Sequence, residues 1–164
     1  MLTIVVEKLK SNFPNSILDV KEFRNETTVH IKKEDIVPVC TFLLNDESCQ
    51  FDYCSDICGA DAYTPENRFE VIYNLYSIPL KQRIRLKVFV DESDLHCPSV
   101  TSVWPAAEWP ERETYDMVGV YFDGNKDMRR MYMPEEFEYY PLRKDFPMMG
   151  IPDSIPLPRK WFYI

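Results

Sequence analysis

Three cysteines stand close enough together to suggest an iron–sulfur cluster or redox thiols: Cys49, Cys54 and Cys58. Their C-x4-C-x3-C spacing departs from the plant-type pattern, which also needs a distant fourth ligand. Read on a strand, Cys54 and Cys58 fall on one face, where small apolar residues belong, and free cysteine is among the most buried residue types. Only two histidines are present, His30 within a strand-like stretch and His96 beside Cys97 in an expected turn. Adjacent residues rarely converge on one reacting atom, so a Cys–His nucleophile pair is not expected. The five cysteines form an odd set without an export signal, which points to free thiols in a reducing compartment.

Carboxylates are the other candidates for chemistry, because paired acids can share general acid–base work across a cleft. On a helix, Glu111 and Glu113 point about 200° apart and cannot share a site. The i, i+4 spacing instead lines up Glu108, Arg112 and Asp116, a row of alternating sign suited to an ion-pair ladder. No HExxH, Walker A, GxGxxG or GxSxG pattern occurs, and four glycines in 164 residues leave little for a phosphate-cradling loop. The residues therefore predict no catalytic, cofactor-binding or metal site.

The elements that position these residues can be read from periodicity. Leu2–Ser11 places Leu2, Val5, Val6 and Leu9 on one helical face. Ser16–Val20 and Thr27–Ile31 read as strands around a polar Arg24-Asn25-Glu26 turn. Asp35 is a candidate N-cap and Pro38 sits in the first turn of a helix whose apolar stripe is Ile36, Val39, Cys40, Leu43 and Leu44. Three further strands follow: Phe51–Cys58, ending at a Gly59-Ala60-Asp61 break; Arg68–Ser77, with Phe69, Val71, Tyr73 and Leu75 on one side; and Lys81–Val90, alternating Ile84, Leu86, Val88 and Val90 against Arg83, Arg85 and Lys87. Period-2 alternation means one buried and one wet face. The order α-β-β-α-β-β-β predicts an α+β fold of two layers, with helices on one face of a mixed sheet. Ser99–Gly119 reads as helical with a break at Trp104-Pro105.

From Asn125 onward periodicity fades, and six of the thirteen prolines lie between Pro134 and Pro158, a density that disfavours helix and central strand alike. The division expected is a core domain over 1–122 and an extended proline-rich arm over 123–164. Residues 1–123 carry 12 basic and 21 acidic side chains, net −9; residues 124–164 carry 7 and 6, net +1. An acidic body without a basic stripe excludes a phosphate-tracking, nucleic-acid-binding surface. A near-neutral aromatic arm suits packing against protein. The N-terminus lacks the pattern of a signal peptide, and no window approaches the roughly 18 to 20 apolar residues of a membrane span. A cytoplasmic protein is expected.

The most specific pattern runs from Glu111-Arg-Glu-Thr-Tyr-Asp-Met-Val-Gly119, through Arg129-Arg130, to Pro141-Leu-Arg-Lys-Asp-Phe-Pro147. It resembles the signature of the complex I 30 kDa family, the C subunit of the respiratory-chain NADH:quinone oxidoreductase, nearly throughout residues 111–150; about 150 residues follow the family's order. The chain departs from the pattern at Asn125, where the family usually has histidine, at Tyr139-Tyr140, where it has Gly-His, and in the short tail after Gly150.

The resemblance implies a non-catalytic structural and assembly subunit, peripheral on the cytoplasmic side of the inner membrane. It would carry no cofactor, with iron–sulfur clusters and flavin in partner subunits. It would dock on the quinone-site subunit related to the large subunit of nickel–iron hydrogenases, near iron–sulfur subunits. The expected subunit-interface residues are Glu111, Arg112, Glu113, Asp116, Arg129, Arg130, Arg143, Lys144, Asp145 and Phe146. The arm, unable to pair regularly with itself, is expected to need a partner for its polar groups. The altered tail also fits an equivalent subunit of a membrane-bound hydrogenase or a ferredoxin- or F420-linked complex. An independent iron–sulfur or thiol redox protein built on Cys49, Cys54 and Cys58 is a further alternative.

Overall fold

The computed structural model describes residues 2–152. The last part of the expected arm, 153–164, lies outside the described residues. Helix α1 (Leu2–Asn12) buries Val5 and Leu9. Strands β1 (Ile17–Phe23) and β2 (Glu26–Ile31) form an antiparallel hairpin. Its two turn residues, Arg24 and Asn25, both have positive φ, the geometry that matches a tight hairpin's twist. Helix α2 (Ile36–Asn45) buries Ile36, Val39, Cys40 and Leu43 as the stripe predicts. Asp35 stands at its N-cap without a side-chain capping bond.

Strands β3 (Tyr53–Asp61), β4 (Phe69–Ser77) and β5 (Gln82–Val90) complete a five-stranded sheet in the order β1-β2-β5-β4-β3. The β2–β5 pair is parallel and the rest are antiparallel, so the sheet is mixed as expected. Burial alternates strictly along β4, and along β5 Ile84, Leu86, Val88 and Val90 face the core while Arg83, Arg85 and Lys87 face away. The core fills the helix-covered side of the sheet with Phe51, Phe69, Tyr73, Leu86 and the buried faces of α1 and α2.

Four expectations fail, each for a local reason. The break at Gly59-Ala60-Asp61 is absent, because β3 runs through it and Gly59 pairs with Val71. A Cβ on Gly59 would lie 2.7 Å from Thr114 Cγ2, so this glycine admits a helix against the strand rather than ending the strand. Cys54 and Cys58 do not share a face. A bulge between Cys54 and Asp56 shifts the register, so Cys54 pairs with buried Leu75 and Cys58 with Ile72 on the other side. Ser99–Val103 is a turn, not a helix; the helix α3 (Glu108–Val118) begins only after a 3-10 turn at Pro105–Ala107. It ends at Gly119, whose φ of 94° makes the left-handed C-cap and whose N–H donates to the Tyr115 carbonyl at 2.9 Å. Two three-residue strands, β6 (His96–Pro98) and β7 (Tyr121–Asp123), pair in parallel around it. His96 therefore lies in a short strand rather than a turn.

Candidate functional site

The predicted residues converge on α3 and on the chain that crosses it. Glu111 and Asp116 have no exposed surface. Glu111 accepts the Val100 amide (2.8 Å), the Ser99 hydroxyl (2.8 Å) and the Asn125 side-chain amide (2.9 Å). These neutral donors hold the loop before α3 and the turn after β7. Burial pushes the Glu111 carboxyl above its ordinary range against the pull of those three bonds.

Asp116 fastens the arm. One carboxylate oxygen accepts Arg130 Nη1 at 2.9 Å, and the other accepts three successive backbone amides, Met131, Tyr132 and Met133, at 2.9, 2.6 and 3.0 Å. Burial alone would raise this carboxyl, but the amides and the guanidinium outweigh it and hold it below the ordinary range. Arg130 also donates to the Tyr139 carbonyl at 3.2 Å and lies over the Phe137 and Tyr140 rings.

The far part of the arm is tied by a second set of bonds. The Leu142 amide donates to the Met117 carbonyl at 3.0 Å, and Arg143 Nε to the Val118 carbonyl at 2.7 Å. Arg143 is stacked between Tyr140 and Phe69, 4.4 and 4.9 Å from their ring centres, and a Cβ on Gly119 would collide with its guanidinium. The Lys144 amide donates to Asp61 at 2.8 Å, and Asp145 accepts Arg68 Nη2 at 2.8 Å. Arg68 also grips Asp61 with two bonds, 3.1 and 2.8 Å, and reaches Glu92 at 2.7 Å. The Arg68 guanidinium and the Lys144 and Tyr63 amides hold the buried Asp61 carboxyl down at about 2.

The ion-pair ladder along α3 does not form. Arg112 turns to the arm, bonding the Arg129 and Arg130 carbonyls and Asp127, while Asp116 takes Arg130. Arm carbonyls and amides lie closer to these side chains than their helical neighbours do. Over the described residues α3, Asp61 and Arg68 supply many of the arm's bonds, while Arg143 Nη2 is buried without a hydrogen-bond partner. Arg129 pairs with Asp127 at the surface, and Glu113, Lys144 and Asp145 are exposed. Phe146 is half-buried near Phe137.

The thiols are set apart from this region's chemistry. Burial raises Cys49 to about 11 and Cys54 and Cys97 to about 12, well above where thiolates form at neutral pH. Cys97 lies 3.5 Å from the Tyr73 hydroxyl, and His96 Nδ1 instead meets Asp123 at 3.0 Å. Among the described residues no group of three His, Cys, Asp or Glu side chains could hold a metal ion. A surface depression lies elsewhere, bounded by Glu22, Arg24, Tyr53, Asp56 and Arg83, and none of the expected interface residues lines it.

Sequence reasoning missed Asp61, Arg68 and Ser99. Asp61 carried a readable signal: it falls two residues beyond Gly59 and four beyond Ile57, in phase with the buried face. A charge at a core-phased position calls for a buried partner.

The structure is an α+β domain whose helix carboxylates fasten its own C-terminal arm. The model of the family described as respiratory-chain NADH dehydrogenase, 30 Kd subunit, matches residues 29–152, and the chain belongs to that family. It is 47% identical over 152 residues, 92% of each chain, to the C subunit of NADH-quinone oxidoreductase from Geobacter sulfurreducens. It is also 47% identical to the same subunit from Geobacter metallireducens, over 88% of this chain and 89% of that one. Among solved structures, a trypsin-resistant fragment (1–134) of Nqo5 aligns with a TM-score of 0.64 and 28% identity, over 77% of this chain and 98% of the fragment. A chain of the membrane-bound sulfane sulfur reductase, an archaeal respiratory membrane complex, aligns with a TM-score of 0.75 and 25% identity, over 90% of this chain and 86% of that one. The resemblance carried by residues 111–150 is thus the right one. No described helix is long and apolar enough to cross a membrane.

Proposed function

We propose that this chain is a non-catalytic structural and assembly subunit of the peripheral arm of a complex I-type NADH:quinone oxidoreductase. It docks on the quinone-site subunit and supports electron transfer from NADH to quinone without a cofactor of its own; the clusters and flavin lie in neighbouring chains. Besides the family relationship, one observation carries this reading. The arm is fastened on the domain yet leaves Tyr132, Tyr139, Leu142, Met148 and Met149 exposed, along with Trp109 at the start of α3. Large apolar side chains held outward on a well-bonded backbone suit a protein partner. Glu111, Asp116 and Arg130 serve that surface from beneath by holding the arm in place, and Arg112, Glu113, Arg129, Lys144, Asp145 and Phe146 border it.

The likeness to the sulfane sulfur reductase chain supports a second reading, the equivalent subunit of a differently fuelled membrane-bound complex. Affinity purification of the tagged chain from detergent-solubilised membranes separates the readings. The quinone-site subunit with iron–sulfur and flavoprotein chains is the expected catch. Retention of a hydrogenase-like large subunit without NADH-binding flavoprotein supports the second reading. Recovery of the chain alone, at normal abundance in the soluble fraction, overturns both. Arg143→Ala is expected to weaken assembly while the domain stays folded; normal assembly with only a lower melting temperature would remove Arg143 from the interface.

A further inference from the structure

The two fastenings of the arm differ in kind and are separated by the Pro134–Tyr139 stretch. The near one, at Asp116, takes three amides and Arg130 into a site with no exposed surface. The far one depends on a chain of charges: Asp61 is buried, Arg68 is almost wholly so, but Asp145 is half-exposed and Lys144 contributes only its backbone amide. Asp61 joins three segments at once, because it also accepts the Tyr63 amide at 2.9 Å. Tyr63, with a φ of 54°, then stacks on Arg68, and a bulky residue in that conformation is held there by its surroundings.

We infer that Asp61 and Arg68 form a latch that positions the Pro141–Pro147 segment before any partner arrives, and that this latch opens independently of the Asp116 fastening. The arm is then a preformed strap, not a segment that first orders on its partner. Preorganisation lowers the ordering cost of association, and a latch of exposed and buried charges leaves the strap able to reopen. The purpose assigned to the latch rests on the docking reading, but its existence does not, and the chain alone tests it.

The full chain carries its own reporters. Trypsin can cut after Arg143 and Lys144 within the latched segment and after Arg129 and Arg130 within the fastened one. In the wild-type chain the Lys144 amide is expected to exchange about 100-fold more slowly than an unstructured amide. Asp61→Asn is expected to speed cutting after Arg143 and Lys144 about 100-fold, the scale of removing one partner from a buried ion pair. Cutting after Arg129 and Arg130 is expected to be unchanged. Arg68→Lys, which keeps the charge and loses the fork, falls between wild type and Arg68→Gln. Should Asp61→Asn fail to fold, Asp145→Asn tests the exposed half of the latch with a smaller acceleration in the same bonds. Unprotected Lys144 exchange in the wild type overturns the latch, and so does acceleration spread equally over all four bonds. A latch that behaves as expected in a chain that captures no partner leaves the device standing and removes the docking reading.

Discussion

Glu111 and Asp116 lie on one helix, both without exposed surface, yet their carboxyls move in opposite directions. The difference is the partner set. Glu111 faces neutral donors, so burial dominates, whereas Asp116 faces Arg130 and three amides. Asp116→Asn is therefore expected to cost about 3 kcal/mol, because it strands the buried Arg130 guanidinium. Glu111→Gln keeps an acceptor for the Val100 amide and is expected to cost within about 1 kcal/mol. The pH dependence follows with opposite signs. The stability from Asp116 is present above its ordinary 3.8 and is lost as pH falls through its lower folded value. Glu111, raised above 4.5, works the other way and takes stability away as pH rises through its folded value. Urea unfolding from about pH 3 to pH 8 checks this. Asp116→Asn should flatten the acid-side loss and Glu111→Gln should gain on the wild type as pH rises. Matching slopes in both variants would refute the assignment.

Elements show which local rules govern and which are overridden. Strands β4 and β5 were legible because each alternates over nine residues, and α2 because its stripe is apolar along its whole length. The bulge at Cys54–Asp56 was not legible, since nothing in the residue types marks a register shift, and it alone decides which face each thiol takes. The strands β6 and β7, three residues each, are too short to show a period. Gly59 misled for a physical reason: a glycine marks either a break or a close approach, and only the packed helix distinguishes the two. At the site, the residue types around α3 were legible and their direction was not. The charges that looked like helix-surface pairs turn to a backbone that lies 15 to 18 residues on. Gly59→Ala is expected to force Thr114 and Val118 away from β3 and cost about 1–3 kcal/mol, the scale of core overpacking. The melting temperature should then fall by roughly 2 °C or more. An unchanged melting point would show that α3 does not bear on this strand.

At the scale of the whole molecule, charge and apolar surface are divided between body and arm. The body carries the net negative charge and the arm is close to neutral, so the two halves would bind a partner by different physics. An acidic face steers association and weakens with salt. An apolar arm buries surface and responds little to salt. Leu142 separates the two cases, because its side chain is exposed while its amide is already bonded to Met117. If the arm leads, Leu142→Asp is expected to lower recovery of the partner subunit about 10- to 30-fold, the loss of one central apolar anchor. The chain's own melting temperature should stay within about 2 °C, since the residue adds little to the core. The wild-type complex should also survive a rise in salt concentration that strips surface ion pairs. A complex that dissolves in salt yet tolerates Leu142→Asp would place the contact on the acidic body and leave the arm as a brace internal to the chain.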